Sequence, residues 1–316
     1  MGRQPLVSIV LITWNSAPYL QRCLEGIRRQ THLERELIVV DNASVDDWPA
    51  IIGKAATDVI RNDDNRGFAA AANQGIGASK GEFVLLLNPD CFLEAEYCAE
   101  LVSSLQIAGG KFGSATGKLL LADDPARVDS KGIRMTRSGR HLDIGQGEPD
   151  FEDGDAEVFG VSGAAGMYRR SFLDDVAIDG EVFDEDFFAY REDADLAWRG
   201  RLMGWRSLYV PDAVAHHVRR VTPAARRSLP AAINMHSVKN RFLLRLKNEG
   251  MYLALRNSPF ELFRDLVTIG AVVTVERSSL PALGWLWRNR RRISAKRRAV
   301  QARRRVSDRS LAGWFQ

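Results

Sequence analysis

The clearest pattern in the first 120 residues is an alternation of apolar, β-type runs with amphipathic helical segments. The strand-like runs cover residues 7–13, 36–40, 59–60 and 83–87. Helix-like segments at 19–30, 48–56 and 68–79 separate them. Strands that are apolar throughout are buried on both faces, and strands alternating with helices pack in parallel. The pattern predicts an α/β fold with a mostly parallel, Rossmann-like central sheet.

The pattern changes twice further along the chain. Residues 121–160 are rich in Gly and Asp, which predicts irregular or antiparallel structure. From about residue 219 onward, basic amphipathic helices replace the strand pattern. We therefore predict a globular part over residues 1–225, with halves at about 1–120 and 121–225. A basic helical tail follows over residues 226–316.

Charge is distributed unevenly over the chain. The formal net charge is +4, yet residues 288–309 carry eleven basic residues against the single acid Asp308. Leu283, Trp285, Leu286 and Trp287 precede this run. Aromatic and apolar residues beside arginines favour an interfacial helix, so the 283–309 segment is expected to lie on an anionic membrane surface. The alternative is a solvated basic helix packed on the globular part. No nucleic-acid-binding motif accompanies the charge, so a nucleic-acid partner is not expected.

The cysteines and the N-terminal segment bear on the compartment. The three cysteines have no metal-like spacing, which favours a reducing compartment over a disulfide framework. The first residues run directly into a strand, without the pattern of a signal peptide. A cytoplasmic location follows as an expectation.

Polar side chains follow three of the predicted strands. They are Thr13 and Asn15, Asp41 and Asn42, and Asn88 and Asp90. Ligands of open α/β sheets bind at the carboxyl ends of the strands. There, Asp90 can hold a hard divalent cation beside a phosphate, and Asp41 can accept from a base or a ribose hydroxyl. The alternatives are a simple turn acid for Asp90 and an Asx turn for Asp41.

Two helix starts carry further candidates. Arg66 and Gly67 precede the Ala-rich helix, where a phosphate can meet the helix N-terminus, unless the pair only caps the helix. A helix beginning near Glu192 turns Asp193 inward as a candidate general base, and the helix dipole should keep Asp193 ionised. The alternative for Asp193 is an ordinary acid of a first helical turn. Asp195 and Arg199 should pair at i,i+4.

A predicted strand after Trp205 ends in His216 and His217. One imidazole can complete an oxygen-rich site, which suits Mn²⁺ or Mg²⁺ better than structural zinc. The alternative is a pair of structural histidines.

In their order and spacing, these motifs resemble family 2 glycosyltransferases of the GT-A fold, over roughly residues 6–250. Within the family, the chain is most similar to bacterial rhamnosyltransferases that build lipid-linked cell-surface polysaccharides. The matching segments are VSIVLITWN at 7–15, VVDNAS at 39–44, NRGFA at 65–69, LNPD at 87–90, SGAAG at 162–166, FDEDFF at 183–188 and EDADL at 192–196.

The resemblance implies a metal-dependent inverting glycosyltransferase. Its sugar donor would be a nucleotide diphosphate sugar, with dTDP-L-rhamnose favoured and a UDP-sugar as the alternative. The acceptor would be lipid-linked or a polysaccharide, which implies a peripheral enzyme on the inner face of the plasma membrane. Residues 1–120 would then bind the nucleotide and residues 121–225 the acceptor.

The resemblance also assigns roles by position. Asp193 would be the catalytic base with Glu192 as its neighbour, and Asp90 and His217 would ligate Mg²⁺ or Mn²⁺, with His216 as the runner-up to His217. Asn88 replaces the first acid of the family's D-x-D motif. The implied nucleotide-binding residues are Thr13, Asn15, Asp41, Asn42, Arg66, Gly67 and Asn88. The implied acceptor-binding residues are Gly163, Ala164, Ala165 and Gly166.

Two other classes of protein are weaker hypotheses. A sugar-1-phosphate nucleotidyltransferase needs a Gly-rich, basic loop after the first strand, and the segment at 13–16 supplies none. A non-catalytic module that binds a membrane surface would not need acids at 41, 90 and 193.

Overall fold

The structure, a computed structural model, describes residues 4–219 and 231–316. Its first part alternates strands and helices as the sequence predicts. The elements are β1 (Val7–Thr13), α1 (Ala17–Arg28), β2 (Arg35–Asp41), α2 (Trp48–Ile52), β3 (Asp58–Arg61), α3 (Phe68–Ala78) and β4 (Phe83–Leu87). Each predicted segment is present, with ends displaced by a few residues.

The second part is mainly antiparallel and connects to the same sheet. Its elements are β5 (Cys91–Leu93), α4 (Tyr97–Ala108), β6 (Phe112–Leu121), β7 (Val128–Ser130), β8 (Ile133–Met135), β9 (His141–Asp143), β10 (Ala156–Val158), β11 (Ala165–Arg169), α5 (Arg170–Val176), α6 (Glu192–Leu202) and β12 (Arg206–His217). A 3₁₀ turn at Glu185–Phe187 precedes α6.

The ten-stranded sheet has the order β10-β12-β6-β11-β4-β1-β2-β3, with β5 and β7 pairing at its side. Strands β4, β1, β2 and β3 are mutually parallel, as are β6 and β12. Strand β11 lies antiparallel between β4 and β6. The sheet is therefore the mostly parallel α/β sheet that the sequence predicts, with antiparallel strands added in the second half.

The core lies on both faces of this sheet because β1 and β4 are apolar at every position except Ser8 and Thr13. Val10 belongs to the cluster on one face and Leu11 to the cluster on the other. Helix α3 approaches the first face through Gly75, where a Cβ atom would lie 2.2 Å from Val10 Cγ1. The close approach fixes the start of α3 beside the carboxyl ends of β1 and β2.

The helical C-terminal region packs on the sheet domain. It comprises α7 (Ala231–Asn248), α8 (Met251–Thr274), α9 (Leu280–Arg288), α10 (Arg290–Ala302) and α11 (Asp308–Leu311). The predicted boundary at 225 lies outside the described residues. Within the part of the chain that the structure describes, no single helix is long and apolar enough to span a membrane. The pair Met251–Thr274 and Arg277–Arg288 meets the length and composition criteria only jointly, with a bend of 107°.

A buried ionic cluster joins this region to the sheet domain. Asp195 accepts from Arg199 Nε at 2.9 Å, as the i,i+4 spacing predicts. Lys247 of α7 reaches the same carboxylate at 2.9 Å and also pairs with Asp184. Lys296 of α10 lies 2.5 Å from Asp184. Several charges of the basic tail are thus neutralised inside the protein.

Candidate active site

The loops after β1 and β2 are tied together by their own polar side chains. Asp41 is 5% exposed and accepts from the Ser44 N–H, which is the Asx turn that the sequence left as an alternative. Asn15 adopts a left-handed φ of 50° and accepts from the Val45 N–H at 2.9 Å. The Thr13 hydroxyl is fully buried and has no hydrogen-bond partner in the described structure. These contacts leave Asn15 as the exposed polar group of this set.

Asn42 organises the next loop. Its amide donates to Asn65 Oδ1 at 2.9 Å and to the Gly67 carbonyl at 3.2 Å. Its oxygen accepts from the Arg66 N–H and from Asn62 Nδ2. Because both ends of the 3% exposed side chain are used internally, Asn42 supports the loop at residues 62–67 and is not available to contact a ligand directly.

Arg66 and Gly67 differ in accessibility. The Arg66 side chain is exposed at the start of α3, where it can meet an anion. Gly67 is buried, has a φ of 83°, and leaves room for a neighbouring ring because a Cβ atom there would lie 2.6 Å from Phe188. The glycine is thus required by the turn and by the close packing of Phe188, whereas Arg66 is the side chain available to a ligand.

Asp90 lies beside His217 at the end of β12. Their carboxylate oxygen and Nε2 atom are 3.6 Å apart, and both side chains are about 15% exposed. The other ring nitrogen of His217, Nδ1, is 2.8 Å from the fully buried Asp129 of β7. When the ring is neutral, the carboxylate keeps the proton on Nδ1 and leaves Nε2, which lies toward Asp90, as the nitrogen with a free lone pair. His216 instead pairs with Glu94 at 2.9 Å.

The same geometry controls the charge of His217. Burial works against an imidazolium, but hydrogen bonds with Asp129 and Asp90 outweigh it and raise the pKa of His217 to about 9. Arg219 adds a second cation, since it pairs with Asp129 and lies 2.8 Å from Asp143 of β9. Burial opposes ionisation of Asp129, yet these partners lower its pKa. The pocket therefore holds alternating charges at the sheet edge.

The donor set suits a hard divalent cation with further ligands from outside. One carboxylate and one imidazole nitrogen face each other, and burial raises the pKa of the neighbouring Cys91 thiol, which disfavours a thiolate ligand there. Within residues 4–219 and 231–316, no group of three or more His, Cys, Asp or Glu side chains could hold a metal ion. A cation here would need water or ligand oxygens to complete its shell.

Asp193 occupies the start of α6, half-buried. Its Oδ2 accepts from the Gly163 N–H at 3.2 Å and its Oδ1 from the Ala194 N–H at 2.7 Å. Burial is the largest influence and raises the pKa of Asp193 from 3.8 to about 6, while these N–H groups lower it and the charge of Asp143 raises it. Burial therefore outweighs the helix dipole, but the carboxylate remains mostly ionised at pH 7.

Glu192 is enclosed and does not reach solvent as Asp193 does. Its side chain is 7% exposed, and Oε2 has no hydrogen-bond partner in the described structure. Burial and then the charge of Asp193 raise the pKa of Glu192 well above its usual value. Burial thus favours the neutral form of Glu192, and Asp193 is the more accessible of the two carboxyl groups.

The loop before β11 connects Asp193 to the loop of Asp90. Gly163 donates to Asp193, and the Ala164 carbonyl accepts from the Asn88 N–H at 2.8 Å. The expectation that residues 163–166 all face an acceptor is too broad. Ala165 and Gly166 lie inside β11, paired with Leu87 and Leu86, and Ala164 is also buried. Only Gly163 is partly accessible.

Helix α7 holds the turn that delivers Asp193. Phe188, Tyr190 and Arg191 all have positive φ, between 66° and 72°, which costs on the order of 1–3 kcal/mol each. The fully buried Asn240 amide lies 2.7–2.9 Å from the carbonyls of Phe187, Ala189 and Tyr190. The strained turn is therefore held by a residue from the helical region.

The sequence reasoning missed Asp129, Asp143, Arg219 and Asn240. Asp129 lies 88 residues from His217, and Asn240 lies 50 residues from Tyr190. Asp129 sits in a short stretch of mixed polarity with no distinctive pattern, and no local signal could have identified it. For Asn240, the only indication in the sequence was a polar amide on the inner face of an otherwise basic helix.

Comparison with known proteins agrees with this fold. The family model for glycosyl transferase family 2 matches residues 8–176, more than half of the chain. The chain belongs to glycosyl transferase family 2, and it is a glycosyltransferase.

Individual relatives with assigned names are also similar to this chain. An N-acetylglucosaminyl-diphospho-decaprenol L-rhamnosyltransferase of Mycobacterium tuberculosis is 27% identical over 241 residues, which cover 67% of this chain and 76% of the relative. The putative glycosyltransferase EpsH of Bacillus subtilis is 33% identical over 102 residues. That match covers 31% of this chain and 30% of EpsH.

Solved structures share the fold at low identity. GalNAc-T7 with UDP, GalNAc and Mn²⁺ has a TM-score of 0.60 at 15% identity, covering 77% of this chain and 48% of that one. The mannosyltransferase PcManGT of Pyrobaculum calidifontis, with GDP-Man and Mn²⁺, has a TM-score of 0.54 at 19% identity. The superposed region covers 95% of this chain and 86% of the mannosyltransferase chain. These similarities establish the GT-A fold.

Proposed function

We propose that the chain transfers one sugar from a nucleotide diphosphate to an acceptor hydroxyl with inversion, using Asp193 as the general base. The observation that carries the proposal is the position of Asp193. Its carboxylate is partly accessible, has a pKa of about 6, and is bonded to a loop that is itself bonded to Asn88 beside Asp90. A base with a pKa near the working pH is suited to proton abstraction.

The donor would bind at the carboxyl ends of β1, β2 and β4. We assign its base and ribose to the loops of Asn15 and Asp41, and its phosphates to the side chain of Arg66. The divalent cation, Mg²⁺ or Mn²⁺, would be held by Asp90 and His217. A cation bound there stabilises the negative charge that develops on the leaving diphosphate.

The protein's own residues would perform the proton transfer. The acceptor hydroxyl donates its proton to Asp193 while its oxygen attacks the anomeric carbon from the face opposite the diphosphate. Burial raises the pKa of Glu192 and so disfavours a second negative charge beside the base. Asn240 holds the turn before α6 and thereby keeps Asp193 within hydrogen-bond distance of the Gly163 N–H. A positioned general base contributes about 10²–10⁴ in rate.

For the donor we favour dTDP-L-rhamnose and for the acceptor a lipid-linked glycan. The support is the L-rhamnosyltransferase relative, which covers two thirds of the chain. A UDP-sugar donor is the alternative, favoured by the GalNAc-T7 structure with UDP, although that similarity concerns the fold. A lipid-linked acceptor would place the enzyme on the cytoplasmic face of the plasma membrane.

The test is a donor screen with a divalent cation present. Purified protein is incubated with Mn²⁺ and with dTDP-rhamnose, UDP-GlcNAc, UDP-galactose or GDP-mannose, and thermal stabilisation and nucleoside diphosphate release are measured. We expect dTDP-rhamnose to give the largest stabilisation and slow release of dTDP by hydrolysis. Preference for a UDP-sugar would replace the rhamnose assignment. No stabilisation and no release with any donor would contradict the proposal as a whole.

A further inference from the structure

Helix α8 exposes most of its apolar residues, with Leu253 and Val272 as exceptions, and buries the polar Asn257 and Glu261. Leu255, Leu262, Phe263 and Leu266 are 63–71% exposed, and Val273 is 51% exposed. A surface helix of a globular protein normally has the opposite arrangement. Contiguous exposed apolar surface of this kind marks an interaction site.

Ion pairs fix this orientation of the helix. Glu261 is 7% exposed and pairs with Arg245 of α7 at 3.0 Å. Asp265 also pairs with Arg245 and lies 3.5 Å from Arg241. Since the acids of α8 are held against α7, the helix cannot rotate its apolar face inward without breaking them. The outward apolar face is a fixed feature of the fold.

The width of this face distinguishes two kinds of partner. At 100° per residue, the exposed apolar positions from Ile269 through Leu266 to Val267 span about half of the helix circumference. A second copy of the helix in a coiled coil needs only the narrow stripe of two positions in seven. A face this wide matches a helix lying in the plane of a membrane surface.

Charge beside the face favours an anionic surface. Residues 277–307 contain eleven basic residues and no acid. Five of these pair with acids of the protein, namely Arg292, Lys296, Arg303, Arg304 and Arg305. The other six have no ion pair among the described residues. The surplus positive charge is therefore directed outward.

Helix α9 connects the apolar face to this charge. Val272 of α8 and Ala282 of α9 share a small cluster with Val238 of α7, so the two helices adjoin. At the end of α9, Trp287 is 69% exposed and the Arg290 guanidinium lies 4.4 Å from its ring centre. Trp and Arg together are typical of the boundary between acyl chains and headgroups.

We propose that the outer face of α8, with Trp287 and the arginines that follow it, docks on the surface of an anionic lipid bilayer. The apolar side chains enter the acyl boundary, and Arg288, Arg290 and Arg291 meet the lipid phosphates. The proposal moves the main contact from residues 283–309, which the sequence favoured, to α8. A symmetric dimer through the same face is disfavoured because it would bring two sets of unneutralised arginines together.

The test uses the full chain and vesicles of defined composition. Co-sedimentation is measured with phosphatidylcholine vesicles containing about 30% phosphatidylglycerol, and with phosphatidylcholine alone, over a range of NaCl concentrations. The native protein should bind the anionic vesicles at least about tenfold more tightly, and less tightly as salt rises. The double variant Phe263→Asp/Leu266→Asp should lose binding to both kinds of vesicle.

Matched controls separate docking from loss of the fold. Leu33→Asp and Ile107→Asp alter exposed apolar residues outside the helical C-terminal region, 75% and 84% exposed respectively. These variants should bind vesicles as the native chain does. Circular dichroism confirms that every variant is folded. Vesicle binding unaffected by Phe263→Asp/Leu266→Asp would overturn the proposal. The proposal would also be overturned if light scattering showed that the native protein is a dimer, that Phe263→Asp/Leu266→Asp dissociates this dimer, and that the native protein does not bind vesicles.

Discussion

The pH dependence of transfer gives the sharpest test of Asp193. With a pKa of about 6, its carboxylate is about 90% ionised at pH 7 and about 10% ionised at pH 5. Only the ionised form accepts a proton, so kcat/KM should fall about ninefold between these pH values. A carboxylate at its usual 3.8 would remain about 94% ionised at pH 5, and the rate would hardly change.

The assay measures nucleoside diphosphate release with donor, acceptor and saturating Mn²⁺ from pH 4.5 to 8. Donor affinity is followed by calorimetry at each pH, so that loss of cation or donor binding is not mistaken for protonation of the base. Asp193→Asn should lower the rate by about 10²–10⁴ and abolish the acid limb near pH 6 while donor affinity is retained. A native profile that stays flat down to pH 5, or normal turnover by Asp193→Asn, would refute the assignment.

Three further predictions concern the supports of the site. Asp129→Asn should weaken Mn²⁺-dependent donor binding about 10–100-fold in calorimetry, because His217 loses the carboxylate on its Nδ1; unchanged affinity would show that Asp129 has no such role. Asn240→Ala should lower kcat about tenfold while the donor KM changes less than about twofold, since only the turn before the base is released; a change confined to KM would contradict this. Lys247→Met leaves the buried Asp184 and Asp195 with only Lys296 and Arg199 as cationic partners among the described residues, and should cost about 3–5 kcal/mol in urea unfolding. Arg127→Ala breaks an exposed pair and should cost less than about 1 kcal/mol; similar losses for both would be inconsistent with the buried cluster.

The local part of the fold could be predicted from the sequence because its signals are local. The buried run at β4 is apolar throughout and that at β1 is interrupted only by Ser8, and Pro89 cannot continue the ladder of β4. The positions of the strand ends could be predicted from these elements. Asp90 and Asp193 could be singled out from their places in these elements and from the resemblance to the family. The roles of these residues remain predictions, while the fold and the family are confirmed.

The rest depended on pairings between distant segments. His216 and His217 could not be separated by sequence, because the choice depends on Glu94 and Asp129, which lie on other strands. The ion pairs that the basic tail makes within the protein could not be predicted, because partners such as Asp184 lie more than 100 residues earlier in the chain. In the same way, the side of α8 that faces the protein is defined by the pairing of Glu261 with Arg245 of α7, which the local sequence does not indicate.

The central claim is that donor and divalent cation bind together at Asp90 and transfer follows there. The most direct measurement is calorimetric titration of dTDP-rhamnose into native protein and Asp90→Ala, each with Mn²⁺ and with EDTA. We expect tight binding only for native protein with Mn²⁺, and equally weak binding in the other three cases. Donor affinity in Asp90→Ala equal to that of native protein, and equally sensitive to Mn²⁺, would contradict the account.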